Sequence, residues 1–300
     1  MRLSWIKAPA TRTGKSRRAG RTGPRREVIM RISNILVSVD RGATAVDRVR
    51  LAADIAWRFD TTLIGVAARQ LVTMIPVESA DASQRIFEIE ETRAKDELAE
   101  GRALFEREAG ERVRTAWREA LAEPLAFLVE QARAAGLVVV SRQGPADGDP
   151  GPMGVAAGGL LMEAGRPVLI VPPGLHRLSA KRIVVAWKDT REARRAVHDA
   201  LPFLVRADQV HVAVAGPEAR REGATDVAAY LSGHGIRVAT HLLHKPEISV
   251  ADEILRFARR EEADLIVMGA YGHSRLREWV FGGATREMLE TTTVCCLMSH

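Results

Sequence analysis

The chain is poor in cysteine: it has two in 300 residues, Cys295 and Cys296, and they are neighbours. Adjacent cysteines rarely form a disulfide, because the geometry of the bond is strained, and two thiols are too few for a four-cysteine zinc site. A sequence without disulfide pairs is typical of a reducing compartment. The sequence therefore predicts a cytoplasmic protein.

Long apolar runs are also missing. No stretch approaches the roughly 18 uncharged apolar residues that a membrane helix needs. The first residues are charged, but they lack an apolar segment followed by a small-residue cleavage site. The sequence thus predicts neither a membrane span nor secretion.

Little in the sequence indicates catalysis. It contains no Gly-x-Ser-x-Gly motif, the turn that presents the serine of many hydrolases. Its histidines lie on different segments, without the His-Glu-x-x-His spacing of zinc proteases. We therefore predict no catalytic residue and no metal site from these motifs.

The positive charge is concentrated at the N-terminus. The chain has 44 basic and 38 acidic residues, a net charge of +6. Residues 1–30 hold nine basic side chains and one acidic one, a balance of +8, so the remaining 270 residues carry −2. Residues 1–29 also lack hydrophobic periodicity, which predicts a disordered basic tail. Nucleic-acid binding is not expected outside this tail.

The rest of the sequence alternates strands and helices, and the order runs twice. Five strands are predicted in each copy, at 35–39, 62–67, 113–118, 137–141 and 167–171, and at 183–187, 209–215, 238–241, 265–268 and 294–298. Such alternation is typical of α/β proteins whose parallel sheets are covered on both faces. Pro172, Pro173 and Gly174 separate the copies. We predict two tandem doubly wound domains, residues 30–174 and 175–300.

The most informative segment follows the fourth predicted strand of the second copy. Gly269 and Gly272 allow tight turns, and Gly282 and Gly283 precede a helix whose free N–H groups suit an anion. Between the two glycine pairs lie three further donors: His273, Ser274 and Arg275. The pattern indicates a phosphate-binding loop; the alternative is a glycine-rich connection that serves only the backbone geometry.

This segment resembles the signature of the universal stress protein family: Gly, two residues, Gly, nine residues, Gly, then Ser or Thr. Gly269, Gly272 and Gly282 match that spacing. The likeness extends over residues 31–300 as two tandem domains. It implies a parallel five-stranded sheet of order 3-2-1-4-5 in each. Many members of the family bind ATP across the ends of strands one and four, with the adenine near strand two.

The resemblance implies an ATP site in the C-terminal domain, which could be accompanied by Mg. The implied cofactor-binding residues lie at the strand ends and on the glycine-rich segment: Ala186, Lys188, Asp189, Val214, Met268, Gly269, Gly272, His273, Ser274, Arg275, Gly282, Gly283, Ala284 and Thr285.

Two of these positions depart from the family. Gly283 stands where a Ser or Thr would donate a hydroxyl to phosphate, although Thr285 is close. Lys188 stands where an Asp would accept a hydrogen bond from ribose or adenine, which a lysine cannot do. Asp189, one place later, is the substitute acceptor.

The first copy departs further. It keeps Asp40 but has Ser141 and Gly144 in place of the glycine pair, followed by Pro145 and Pro150. Prolines restrict the chain and remove N–H donors. We therefore predict that the first copy does not hold a triphosphate in the family's manner.

The sequence is thus identified as a tandem universal stress protein that binds ATP and acts in stress response or signalling. Two alternatives stay open: a nucleotide-free interaction scaffold, and a slow ATPase with His273 as the candidate base. The resemblance also implies antiparallel pairing of the two fifth strands, a pseudo-dimer within one chain, and it allows a homodimer. Four tryptophans are interpreted as packing residues: Trp57, Trp117, Trp187 and Trp279.

Overall fold

The computed structural model describes residues 31–71, 80–216, 223–243, 248–272 and 283–300. The predicted basic tail and residues 273–282 lie outside these ranges. All ten predicted strands are present, with ends that differ from the prediction by at most two residues.

The strands are β1 (Asn34–Ser38), β2 (Thr62–Ala68), β3 (Thr115–Ala120), β4 (Leu137–Ser141), β5 (Val168–Val171), β6 (Arg182–Ala186), β7 (Gln209–Val214), β8 (Val238–Leu242), β9 (Leu265–Gly269) and β10 (Cys295–Ser299). The helices are α1 (Ala45–Arg58), α2 (Ala80–Ala109), α3 (Pro124–Gln131), α4 (Ala157–Glu163), α5 (Arg191–Asp199), α6 (Leu201–Leu204), α7 (Ala224–Gly233), α8 (Val250–Arg260) and α9 (Ala284–Thr291).

The ten strands form one sheet in the order β3-β2-β1-β4-β5-β10-β9-β6-β7-β8. Each half has the predicted order 3-2-1-4-5, and the strands within each half are parallel. The halves join where β5 and β10 pair antiparallel, with Leu169 opposite Leu297. The predicted α/β fold and the pairing of the two fifth strands are confirmed.

Apolar side chains pack on both faces of the sheet, as expected for buried parallel strands. In β10, Cys295 and Leu297 join the layer under α1 and α5, whereas Cys296 and Met298 join the layer under α4 and α8. Both thiols are free and fully buried, and burial raises the pKa of Cys295 to about 12. The cysteines are therefore packing residues.

Local signals in the sequence account for the helix starts. Thr190 accepts a hydrogen bond from the N–H of Ala193 before α5, and Ser249 accepts one from Asp252 before α8. Helix α2 is longer than its predicted 83–109 and buries Leu98 and Phe105 on one side. No helix within the described ranges is long and apolar enough to span a bilayer.

The tryptophans divide between the core and the surface. Trp187 is buried, and the ring of Trp117 lies 5.4 Å from that of Phe105. Trp57 is 57% exposed, so its predicted packing role is wrong. It lies near the end of α1, on the opposite side of the helix from the buried Ile55 and Phe59. Trp279 lies outside the described residues.

Candidate functional site

The candidate site lies at the carboxyl ends of β6 and β9, the two strands in the middle of the second half. They are parallel neighbours, with Ala186 opposite Met268. The strand order reverses between them, because the chain continues from β6 to β7 on one side and reaches β9 on the other. Open α/β sheets bind ligands at such a reversal. Val214 ends the next strand, β7, so the predicted strand-end residues share one edge of the sheet.

Gly269 is required where β9 meets α5. A Cβ at this position would lie 2.5 Å from the backbone nitrogen of Ala193, in the first turn of α5. Only glycine permits the helix to approach the strand end so closely. The first turn of α5 therefore borders the candidate site.

The backbone beyond β9 turns sharply at Tyr271, which adopts a left-handed conformation with φ +53°. A Cβ at the next residue, Gly272, would lie 3.2 Å from both Glu192 Oε2 and Thr190 Oγ1. The N–H of Tyr271 donates to the hydroxyl of Thr285 on α9 at 3.3 Å. Thr285 therefore links the turn to α9 through this hydrogen bond. Its position near phosphate stays a prediction.

Among the described residues, nothing crowds the start of α9. No described atom lies within 4 Å of where a Cβ of Gly283 would be, and its φ of −62° suits any residue. No described side chain caps the helix there. The free N–H groups around Ala284 can therefore receive an anion, aided by the helix dipole.

Lys188 and Asp189 are both exposed at the turn that follows β6. Arg194 donates two hydrogen bonds to Asp189, at 2.6 and 3.2 Å, both to Oδ1. The second carboxylate oxygen, Oδ2, can accept from a ligand. Four further predicted site residues lie outside the described residues: His273, Ser274, Arg275 and Gly282.

Sequence reasoning missed Glu192, a buried carboxylate at this site. Burial raises its pKa, but hydrogen bonds from Arg191 and Thr190 outweigh that effect and hold the pKa below its ordinary value. The group is therefore an anion beside Gly272. In the sequence it is one charged residue in the first turn of a helix, with nothing to mark it as buried.

The equivalent edge of the first half is closed by an internal ion pair. Arg48 on α1 donates to Asp40 Oδ2 at 2.8 Å, and both side chains are buried. Its other nitrogens donate to the carbonyl of Ser38 at 2.7 Å and to Ser141 Oγ at 2.5 Å. About 10 Å³ of space remains among these groups. In the described part of the second half, no arginine is buried.

The comparisons with known proteins bear on both halves. Residues 214–300 match the model of the universal stress protein family. The chain carries a universal stress protein domain in its C-terminal half. The resemblance noted in the sequence is thereby confirmed. No curated protein sequence matches the chain significantly.

Solved structures extend the likeness in fold to both halves. A universal stress protein from Archaeoglobus fulgidus DSM 4304 is 14% identical, with a TM-score of 0.67, and the match covers 90% of this chain and 96% of that one. A functionally unknown protein from Pseudomonas aeruginosa PAO1 is 17% identical, covering 89% and 92%, with a TM-score of 0.51. A universal stress protein in complex with cAMP matches 47% of this chain and 98% of its own, at 22% identity and a TM-score of 0.33.

The second half also contains a histidine pair that the sequence did not predict. His211 on β7 and His241 on β8 approach within 3.0 Å through Nδ1 and Nε2, and both rings pack against Phe257 of α8. Burial lowers the pKa of both histidines, although the carboxylate of Glu261 partly opposes this. No cluster of three metal-ligating side chains occurs in the described ranges.

Acid is expected to destabilise the domain through this pair. The folded state binds fewer protons than the unfolded state, because the folded pKa values lie below 6.5. Stability is therefore fully present above that pH and falls as the pH drops through and below it. Arg182 and Arg260 add positive charge nearby and strengthen the effect.

The measurement is the melting temperature at about pH 7.5 and about pH 5.5. His241→Gln should lose less stability on acidification than the wild type, because only one imidazole remains to be protonated. His198→Gln, at an exposed position on α5, is the control and should behave as the wild type does. An equal loss in all three proteins would contradict the prediction.

Proposed function

We propose that this protein binds an adenine nucleotide, ATP, in its C-terminal domain, with one site per chain, and that it acts in the cytoplasm as a nucleotide-responsive stress or signalling protein. The observation that carries the proposal is the contrast between the halves. In the second half no described atom crowds the start of α9, and Thr285 of this helix is hydrogen bonded to Tyr271, between Gly269 and Gly272. In the first half Arg48 fills the corresponding edge.

The site has the parts that a phosphate chain requires. The first N–H groups of α9 are uncapped by described side chains, and they carry the positive end of the helix dipole. Gly272 keeps the approach free of a side chain. The ribose and adenine would then lie toward β7, where Asp189 offers a carboxylate oxygen.

The proposal does not include rapid hydrolysis. The buried carboxylate at this edge, Glu192, is hydrogen bonded to Arg191 and has a lowered pKa. A carboxylate with a lowered pKa is a weak base and suits the activation of water poorly. The protein is therefore expected to hold ATP and to release it unchanged.

Titration calorimetry with ATP, with and without Mg²⁺, tests the proposal. We expect one site per chain and a loss of at least about tenfold in affinity for Gly272→Val, because the added side chain would crowd Thr190 and Glu192 at the approach. Gly233→Val, where a Cβ meets open space, is the matched control. Circular dichroism should confirm that both variants fold.

Two results would contradict the proposal. Two equivalent sites would mean that the first half also binds. Absence of heat with ATP, together with no nucleotide released on denaturation, would favour the interaction scaffold instead.

A glycine of the first half, Gly158, is unsuitable for a control substitution to valine. A Cβ there would lie 2.8 Å from the hydroxyl of Tyr271 and would displace the turn that carries Gly272.

Gly283→Ser is expected to strengthen ATP binding by about three- to tenfold. The new side chain meets no described atom within 4 Å, and its hydroxyl would restore the donor typical of the family signature. Gly283→Ala adds the same Cβ without the hydroxyl and should leave the affinity close to wild type. Equal effects of Ser and Ala on the dissociation constant would show that the hydroxyl makes no contact with ATP.

A further inference from the structure

Trp187 has a buried donor without a protein acceptor. The side chain is 5% exposed, and no described residue accepts a hydrogen bond from its indole Nε1. Buried polar groups nearly always have a partner, because an unsatisfied donor destabilises the folded state. The indole N–H of Trp187 therefore has no acceptor among the described residues, and a bound molecule can supply one.

The donor lies at the edge of the sheet that holds the candidate site. Trp187 directly follows β6, and its backbone N–H donates to the carbonyl of Ala213 on β7 at 2.8 Å. A Cβ on Gly223, just before α7, would lie 3.2 Å from Nε1 and 3.5 Å from Cγ of Asp189. Gly223, with φ +72°, thus packs against the indole N–H and the Asp189 carboxylate, and a side chain here would occupy the position beside both groups.

The first half has no such donor at the matching position. Val39 follows β1 as Trp187 follows β6, and its N–H donates to the carbonyl of Val66 on β2 at 2.9 Å in the same manner. Its side chain is buried and apolar. The orphan donor therefore occurs in the half whose edge is open, and the half closed by Arg48 lacks it.

We propose that Trp187 Nε1–H and the carboxylate of Asp189 form a paired donor and acceptor that hold the base end of the bound nucleotide. This inference rests on the proposed function. Adenine presents a ring nitrogen that accepts beside an exocyclic amine that donates, which complements this pair. Trp187 is thus a specificity-determining residue of this chain rather than only a packing residue.

Trp187→Phe tests the assignment, because it keeps an aromatic ring and removes the N–H. We expect the variant to bind ATP about tenfold more weakly, as for the loss of one buried hydrogen bond. Without nucleotide its melting temperature should fall, because Phe fills less of this buried position than Trp does, so ATP affinity is the readout for the N–H. Trp117→Phe is the matched control: its Nε1 is bonded to Glu119 at 2.6 Å on β3, far from the site, so ATP affinity should not change.

The possible results of the binding measurements lead to different conclusions. Wild-type affinity in Trp187→Phe overturns the inference and leaves the proposed function standing. Failure of the wild type to bind ATP overturns the proposed function, and the inference with it.

A second measurement needs no folded Trp187 variant. The chain has five tryptophans, so the wild type gives five indole N–H signals in a ¹⁵N spectrum, which can be assigned by substituting the other four in turn. Addition of ATP should shift the Trp187 signal most. An unmoved Trp187 signal in a protein that binds ATP would overturn the inference.

Discussion

Replacing Arg48 by alanine is expected to lower the free energy of unfolding by about 3–5 kcal/mol, the largest effect expected of any single substitution discussed. The variant leaves Asp40 buried without its guanidinium partner. It also removes the donors to Ser38 and Ser141. A buried charge that loses its partner is far more destabilising than the pair itself is stabilising.

Urea unfolding followed by circular dichroism measures this loss. Arg102→Ala is the control: its ion pair with Glu106 on α2 is exposed on both sides, so its loss should change the free energy of unfolding little. The double variant Arg48→Met with Asp40→Asn should recover part of the loss, because no unpaired charge remains. A cost for Arg48→Ala as small as that of Arg102→Ala would show that the first half accommodates water or another partner at Asp40.

The fold was predictable because its signals are local and repeated. Each buried parallel strand is a short apolar run, and each ends at a turn or a polar residue, so the order of elements can be deduced one segment at a time. The pairing of β5 with β10 was predicted because both are apolar and a free edge would be exposed, and its antiparallel sense was implied by the family resemblance. Gly269 was noticed because glycine allows tight turns and a close approach of other backbone.

The features that sequence reasoning missed depend on contacts between distant segments. Arg48 looks like any charged residue of an amphipathic helix, and its burial follows only from Ser141, 93 residues later. His211 and His241 are 30 residues apart and meet because β7 and β8 are neighbours. The unsatisfied donor of Trp187 is a property of its surroundings, which no pattern in the sequence reveals.

The halves also contact one another beyond the paired strands. Arg142, at the end of β4, donates to the carbonyl of Thr292 at 2.8 Å, so the loop of the first half binds the second. From the second half, the hydroxyl of Tyr271 lies against Gly158 on α4 of the first half. The turn that carries Gly272 is thus held in part by the first half, and a separated C-terminal half would lose this support.

Residues 175–300 expressed alone are therefore expected to form dimers or larger aggregates. Without the first half, β10 becomes an edge strand, because its antiparallel partners Val168, Leu169 and Ile170 are gone. The freed backbone groups and the apolar side chains on both faces favour pairing with a second copy. Light scattering after size-exclusion chromatography measures the mass. Mixing with residues 1–174 should restore a 1:1 complex, because β5 then covers the same edge. A C-terminal fragment that is monomeric and does not bind residues 1–174 would show that the β5–β10 pairing contributes little to the association of the two halves.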